Sequence, residues 1–298
     1  MELVGFSPDS LVSVELLRSV LDPGGRSSHG LVIADVRWKP EASVRDAFEA
    51  GHVPGAVSID VDTDLSAPAF EGPGRHPLPS PEAFARSMGE AGIGDEAAVV
   101  AYDDVGGSVA ARLWWMLHVT GHRAALLDLP SLDAWTGAGE ALETGPAAAK
   151  ESATFTAGPW PAARTAAAHD VRVALIDGTA VVVDARAEER YRGEIEPIDP
   201  VAGHIPGAVS APWIGNSDPV SGSFLSAEAL AERYRSFGVT DGTDVIASCG
   251  SGVTACLAVF ALERAGLGGA RLYEGSWSDW THDPSRPVAI GSDPGVMR

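Results

Sequence analysis

Apolar, β-branched positions come in short runs along this chain, and each run is followed by a stretch with helical spacing. LVIAD (31–35) and AAVVAYDD (97–104) are the first two runs; VVVD (181–184) and DVIASCGSG (244–252) repeat them in the second half. After each second run comes a helical pattern, VAARLWWMLHVTG in one half and VTACLAVFALERAG in the other. Strands that alternate with helices predict a parallel sheet covered by helices. The expected fold class is α/β, built twice.

The repeat extends to polar residues. Each first strand ends in Asp-x-Arg, Asp35/Arg37 and Asp184/Arg186, and each is followed by a Gly-His-x-Pro-Gly-Ala turn that places His52 and His204 152 positions apart. A chain that repeats itself in this way is one domain duplicated. The expected boundaries are a first domain over 1–140, a linker over 141–162 rich in Ala, Gly, Thr and Pro, and a second domain over 163–298. In both copies the histidine reads as a turn residue bonded to backbone and the Asp-x-Arg as a structural ion pair, because a catalytic role would be hard to assign twice. Trp114 and Trp115, inside a helical apolar run, read as core. Trp277 and Trp280, in GSWSDW after the last strand, read as loop residues that wall a cleft or pack on the surface.

Composition narrows the function. At 298 residues two cores are expected, and a net charge of -20 with no basic run repels phosphate backbones, so nucleic acid is excluded as a partner. No apolar stretch is long enough to span a bilayer and the first residues lack the pattern of a secretory signal, which predicts no membrane association and a cytoplasmic location. Cys249 and Cys256 are the only cysteines, too few for a disulfide framework and suited to a reducing compartment.

The candidate chemistry is at Cys249. It ends the second strand of the second copy, where ligands bind in open α/β sheets, and the matching position of the first copy is Asp103. The first domain is therefore expected to be catalytically inactive. Cys249 is followed by Gly250, Ser251, Gly252, Val253 and Thr254; the glycines allow a tight turn that aims successive amides inward, and the helix expected from Val253 or Thr254 points its positive end at the same spot. Such a cradle favours a thiolate and an anionic sulfur product. Cysteine phosphatases use a similar loop but need an arginine six residues after the cysteine, where this chain has Ala255. Cys256, in apolar helical surroundings, reads as core.

With CGSGVTA, the paired Gly-His-x-Pro-Gly-Ala turns and GSWSDW on the page, the chain resembles the tandem-domain rhodanese and mercaptopyruvate sulfurtransferase family over nearly its whole length. The resemblance implies transfer of sulfane sulfur through a Cys249 persulfide, without metal or organic cofactor. It implies a small anionic sulfur donor, and as acceptor cyanide or a thiol such as thioredoxin. A loop Cys-Gly-Ser-Gly without Lys or Arg is similar to that of the 3-mercaptopyruvate group, while thiosulfate, a dianion favoured by basic loops, is the alternative donor. The family's Ser-His-Asp set maps onto Ser251, His76 and Asp62, the last two from the first half, which implies a site between the domains. Its substrate-binding arginine maps onto Arg190, and a second arginine expected near residues 196–200 is missing. An alternative of another class is a relay module that hands its persulfide to a protein partner.

Overall fold

In the computed structural model, which describes residues 7, 10–22, 30–40, 43–128, 130–148 and 150–298, both halves fold around a parallel sheet. Residues 1–6, on which part of the N-terminal reading rests, lie outside the described residues. The first sheet contains β1 (Leu11–Val12), β2 (Leu31–Asp35), β3 (Val57–Ser58), β4 (Ala98–Tyr102) and β5 (Arg123–Leu127), in the order β1-β5-β4-β2-β3. The second contains β6 (Thr165–Ala166), β7 (Ala180–Asp184), β8 (Val209–Ser210), β9 (Asp244–Ser248) and β10 (Arg271–Tyr273), in the order β6-β10-β9-β7-β8. The two orders are the same, strand for strand, as duplication requires. The central pairs share a register as well: Asp35 lies opposite Tyr102, and Asp184 lies opposite Ser248.

Helices α1 (Val14–Val20), α2 (Val44–Ala50), α3 (Pro81–Glu90), α4 (Ala110–Val119) and α5 (Leu132–Gly137) accompany the first sheet. The second is accompanied by α6 (Ala168–Asp177), α7 (Glu188–Tyr191), α8 (Ala227–Ser236), α9 (Ala255–Arg264) and α10 (Ser276–His282). Four of them start at a serine whose hydroxyl accepts an amide of the first turn: Ser13 from Leu16, Ser43 from Asp46, Ser80 from Ala83 and Ser226 from Ala229. Each such cap satisfies a donor that the helix itself cannot. Helices α4 and α9, which follow the central strands, are mostly apolar and buried almost throughout, including Trp114, Trp115 and the charged Arg112. One core gathers Leu17, Ile33, Val100, Leu127 and Trp135; the other gathers Val171, Val182, Ile246, Tyr273, Trp277 and Trp280. No helix among the described residues is long and apolar enough to cross a membrane.

The repeated polar residues knit each strand end to its turn. Arg37 holds the Asp35 carboxylate through Nε and Nη2 at 3.0 and 2.7 Å and donates from Nη2 to the Gly51 carbonyl at 2.8 Å. Arg186 repeats this with Asp184 at 3.0 and 2.6 Å and with the Gly203 carbonyl at 2.7 Å. The turn histidines are equally matched: Nδ1 of His52 lies 2.8 Å from the Phe48 carbonyl and Nδ1 of His204 lies 2.8 Å from that of Tyr191. Each ring stacks on the aromatic side chain of that same residue, at 3.7 Å between centroids. Both residue types are structural, as their occurrence in both copies predicts.

Two regions depart from the sequence reading. GSWSDW is no loop: it forms the start of α10, and Trp277 and Trp280, three residues apart, face the core at 1% and 0% exposure. The aromatic spacing is helical, but the short polar surroundings mask it. The chain also divides unevenly, because Ser66–Leu78 clusters with Pro161–Pro219 and Leu225–Arg298, whereas Val220–Phe224 clusters with Met1–Leu65 and Pro79–Trp160. The residues read as linker are not bare chain: Glu143 forms a β-bridge with His52, and Phe155 is buried with its ring edge-on to Phe84 at 5.4 Å.

Because Arg37 is buried and its carboxylate partner is too, removing it strands a charge. Arg37→Ala is expected to cost about 3–5 kcal/mol in urea denaturation, and Arg37→Lys, which keeps charge but not the planar fork, to recover only part of that.

Candidate active site

Cys249 comes directly after β9, and the chain there must turn sharply back towards α9. Gly252, at φ +79°, makes the turn, and a side chain there would collide with the Glu274 carbonyl oxygen. The turn aims the Gly252 amide at the cysteine, with N···Sγ of 3.2 Å. Helix α9 then begins at Ala255 with Thr254 as its N-cap and Val253 buried, one residue from where the sequence places it. The N-terminal end of that helix and the inward amide make the cradle that an anionic sulfur needs.

Helix α10 holds the loop from the other side. The Trp277 and Ser278 amides donate to the Cys249 and Gly250 carbonyls at 3.1 and 2.9 Å, and the Cys249 amide donates to Ser276 Oγ at 3.0 Å. Ser276 Oγ in turn donates to the Tyr273 carbonyl at 2.8 Å, which fixes its lone pairs towards the cysteine amide. Sequence reading missed Ser276; its signal is position, one residue before the first tryptophan of α10. Cys249 is only 3% exposed, more covered than a Gly-Ser-Gly loop suggests. Cys256 is fully buried and its thiol donates to the Gly252 carbonyl at 3.3 Å, a packing role as expected.

The segment Ser66–Leu78 brings two polar side chains to this loop. His76 is buried, with Nδ1 2.7 Å from Ser251 Oγ. Arg75 reaches the loop at Gly250: a Cβ built there would sit 3.4 Å from Arg75 Nη2 and 3.5 Å from Arg190 Nη1. Thus Ser251, His76 and Arg190, placed by resemblance, are found around Cys249, and Arg75 stands beside them unforeseen. Its signal is adjacency to His76. Asp62 belongs to the first unit, is exposed, and accepts the Trp38 indole N–H at 2.8 Å.

Beneath the two guanidinium groups lies a buried acidic pair. Arg190 binds Glu196 at 2.6 Å and Asp199 at 3.4 Å, and Arg75 pairs with Asp199 as well. Burial raises both carboxyls, but bonds from Arg190 and from backbone amides bring Glu196 below its ordinary value. Asp199, facing the charge of Glu196, stays above its own despite the arginines. Arg186 joins the cluster through Glu196 at 3.4 Å and lies over the Trp277 ring at 4.6 Å. Among the described residues no group of three His, Cys, Asp or Glu side chains is placed to hold a metal ion.

The first copy shows the same cradle filled from within. Asp103 is fully buried, and its carboxylate accepts four backbone amides: Val105 at 2.9 Å, and Gly107, Val109 and Ala110 at 2.8 Å. Burial raises this carboxyl above its ordinary value even against the pull of the four N–H groups. The loop that turns around a sulfur in one half turns around a carboxylate in the other.

Residues 23–138 and 167–283 each match the rhodanese-like domain family. The chain belongs to the rhodanese family. Within it, the likeness runs to proteins named as sulfurtransferases. The chain is 41% identical over 284 residues to the "Probable 3-mercaptopyruvate sulfurtransferase" of Pseudomonas aeruginosa, covering 94% of this chain and 99% of that one. It is 37% identical over 275 residues to SseB of Mycobacterium tuberculosis, a thiosulfate sulfurtransferase by name, covering 87% and 91%. The solved structure of SseA from Escherichia coli, described as a 3-mercaptopyruvate sulfotransferase, superposes with a TM-score of 0.77 at 30% identity over 90% of this chain and 98% of that one.

Asp103→Asn leaves one oxygen where two served four donors. Two amides then face an NH2 group, and a loss of about 2–4 kcal/mol is expected in thermal or urea unfolding.

Proposed function

We propose that the chain is a sulfurtransferase that takes sulfur from 3-mercaptopyruvate onto Cys249 and passes it to a thiol or to cyanide. The observation that carries this reading is a single cysteine at the head of an amide-lined loop, with Ser251 and His76 paired at 2.7 Å two residues away. The Cys249 thiolate attacks the donor sulfur. An S–S bond forms, the C–S bond breaks, and its electron pair goes to the enolate of pyruvate. A proton then reaches the enolate carbon, leaving pyruvate and a persulfide anion in the cradle of the Gly252 amide and the α9 N-terminus. Ser251 and His76 are the pair to polarise the donor carbonyl and to move that proton. Attack by cyanide or a thiolate on the outer sulfur breaks the S–S bond and restores the Cys249 thiolate.

The charges at Gly250 fit a monoanionic donor. Arg75, Arg186 and Arg190 are balanced by Asp184, Glu196 and Asp199, so the cluster orients a single carboxylate without the surplus that a dianion calls for. Thiosulfate is the second reading, favoured by the two guanidinium groups at Gly250 and by the likeness to SseB. Thioredoxin suits the thiol acceptor, and two free thiols suit a reducing, cytoplasmic setting.

Steady-state kinetics with each donor, against a dithiol and against cyanide, test this reading. The kcat/KM for 3-mercaptopyruvate is expected to exceed that for thiosulfate by at least about tenfold, or some 1.4 kcal/mol of transition-state discrimination. Cys249→Ser is expected to abolish turnover; a thiosulfate preference overturns the donor, and turnover with neither points to a relay fed by a protein partner. The role that the family pattern gives Asp62 has its own check. Asp62→Asn that loses as much activity as His76→Ala supports it, while wild-type rates remove Asp62 from the mechanism.

A further inference from the structure

We infer that Arg75, on the Ser66–Leu78 segment, is a donor-binding residue that clamps the donor carboxylate together with Arg190 across Gly250. The inference deepens the proposed function and rests on it for the identity of the donor. Three observations carry it.

The first is placement. Arg75 Nη2 and Arg190 Nη1 both stand within 3.5 Å of the position that a side chain on Gly250 would take. Gly250 follows the nucleophile directly, so a small anionic donor whose sulfur meets Cys249 has its other end beside these groups. The missing Cβ leaves the room for it.

The second is what those nitrogens do at present. Arg75 bonds the protein through Nη1, to Asp199, and Arg190 through Nε and Nη2, to Glu196 and Asp199. Among the described residues Arg75 Nη2 and Arg190 Nη1 donate to no protein acceptor. Both guanidinium groups are thus fixed on their buried side and offer N–H donors on the side facing the loop. Two such donors from two planes suit the two oxygens of a carboxylate.

The third is rigidity. Arg75 is held at its backbone by the Ser278 hydroxyl at 3.2 Å, and a side chain on the preceding Gly74, at φ +80°, would strike the Gly275 carbonyl. The next residues are tied too, with His76 on Ser251 and the Leu78 amide on the Glu274 carboxylate at 2.9 Å. Asp199, 3% exposed in its side chain and shared by both arginines, sets the spacing between them. Holding the charges before the donor arrives lowers the ordering cost of binding.

Two measurements on Arg75→Gln and Arg75→Lys test the inference. In the first, KM for 3-mercaptopyruvate is expected to rise at least about tenfold in Arg75→Gln and less in Arg75→Lys. The second does not depend on the donor: the rates at which Cys249 is alkylated by iodoacetate, an anion, and by iodoacetamide, its neutral counterpart. Their ratio is expected to fall at least about threefold in Arg75→Gln, with the iodoacetamide rate reporting that the loop is intact. A KM for 3-mercaptopyruvate within about twofold of wild type overturns the inference. If the wild-type protein does not use 3-mercaptopyruvate at all, the donor reading has failed, and the alkylation ratio alone decides Arg75: a fall supports it and an unchanged ratio overturns it.

Discussion

The ion pair of Arg186 with Asp184 is the interaction on which the site depends. Its guanidinium closes the end of β7 onto the Gly203 turn, meets Glu196 at 3.4 Å, and lies over the Trp277 ring at 4.6 Å. Glu196 in turn orients Arg190, and Trp277 through its amide holds the Cys249 carbonyl. A buried pair of this kind adds little net stability over an apolar replacement, and its worth lies in specifying one arrangement. Here that arrangement joins a strand end, a turn, Arg190 and the Cys249 loop. The first copy retains the pair as Arg37 and Asp35 but spends the remaining contacts differently: the Tyr102 hydroxyl donates to Asp35 at 2.6 Å and accepts the Val53 amide at 3.0 Å. The same clamp thus ties strand end to turn in both halves, and in the second it also meets the carboxylate that holds Arg190.

Polar residues gather around the Cys249 loop from three stretches of chain that are far apart in sequence. The loop supplies Ser251 and its amides, α7 and the segment after it supply Arg190, Glu196 and Asp199, and Ser66–Leu78 supplies Arg75 and His76. Arg75, His76, Arg190, Glu196 and Asp199 all lie outside the short loop that carries the cysteine. A loop with no basic residue of its own is therefore no guide to the charge around it, since two guanidinium groups approach Gly250 from outside.

How much could be read beforehand follows from the range of each interaction. Strand runs, the two Gly-His turns, the Asp-x-Arg pairs and the cysteine loop are local patterns, and a repeat states each of them twice. Ser251, His76 and Arg190 needed a family likeness, because nothing in a sequence says that position 76 meets position 251. Arg75 carries no local signal of its partner, because the carboxylate that holds it, Asp199, is 124 positions further along the chain. Helix α10 was hidden for a different reason. Its seven residues are mostly small or polar, and only the spacing of Trp277 and Trp280 betrays a buried face.

Asp103 gives the duplication a further meaning. An anion hole that must work as a catalyst has to be vacated and refilled in every cycle, so its amides cannot be wholly committed to one occupant. The first copy has surrendered that freedom: its occupant is tethered to the chain, draws on four amides at once, and never leaves. In effect a tethered carboxylate fills in the first copy the kind of cradle that the proposed persulfide would fill in the second. A fixed occupant holds the first loop in shape without any exchange, whereas the loop around Cys249 keeps its glycine turn open to a change of occupant.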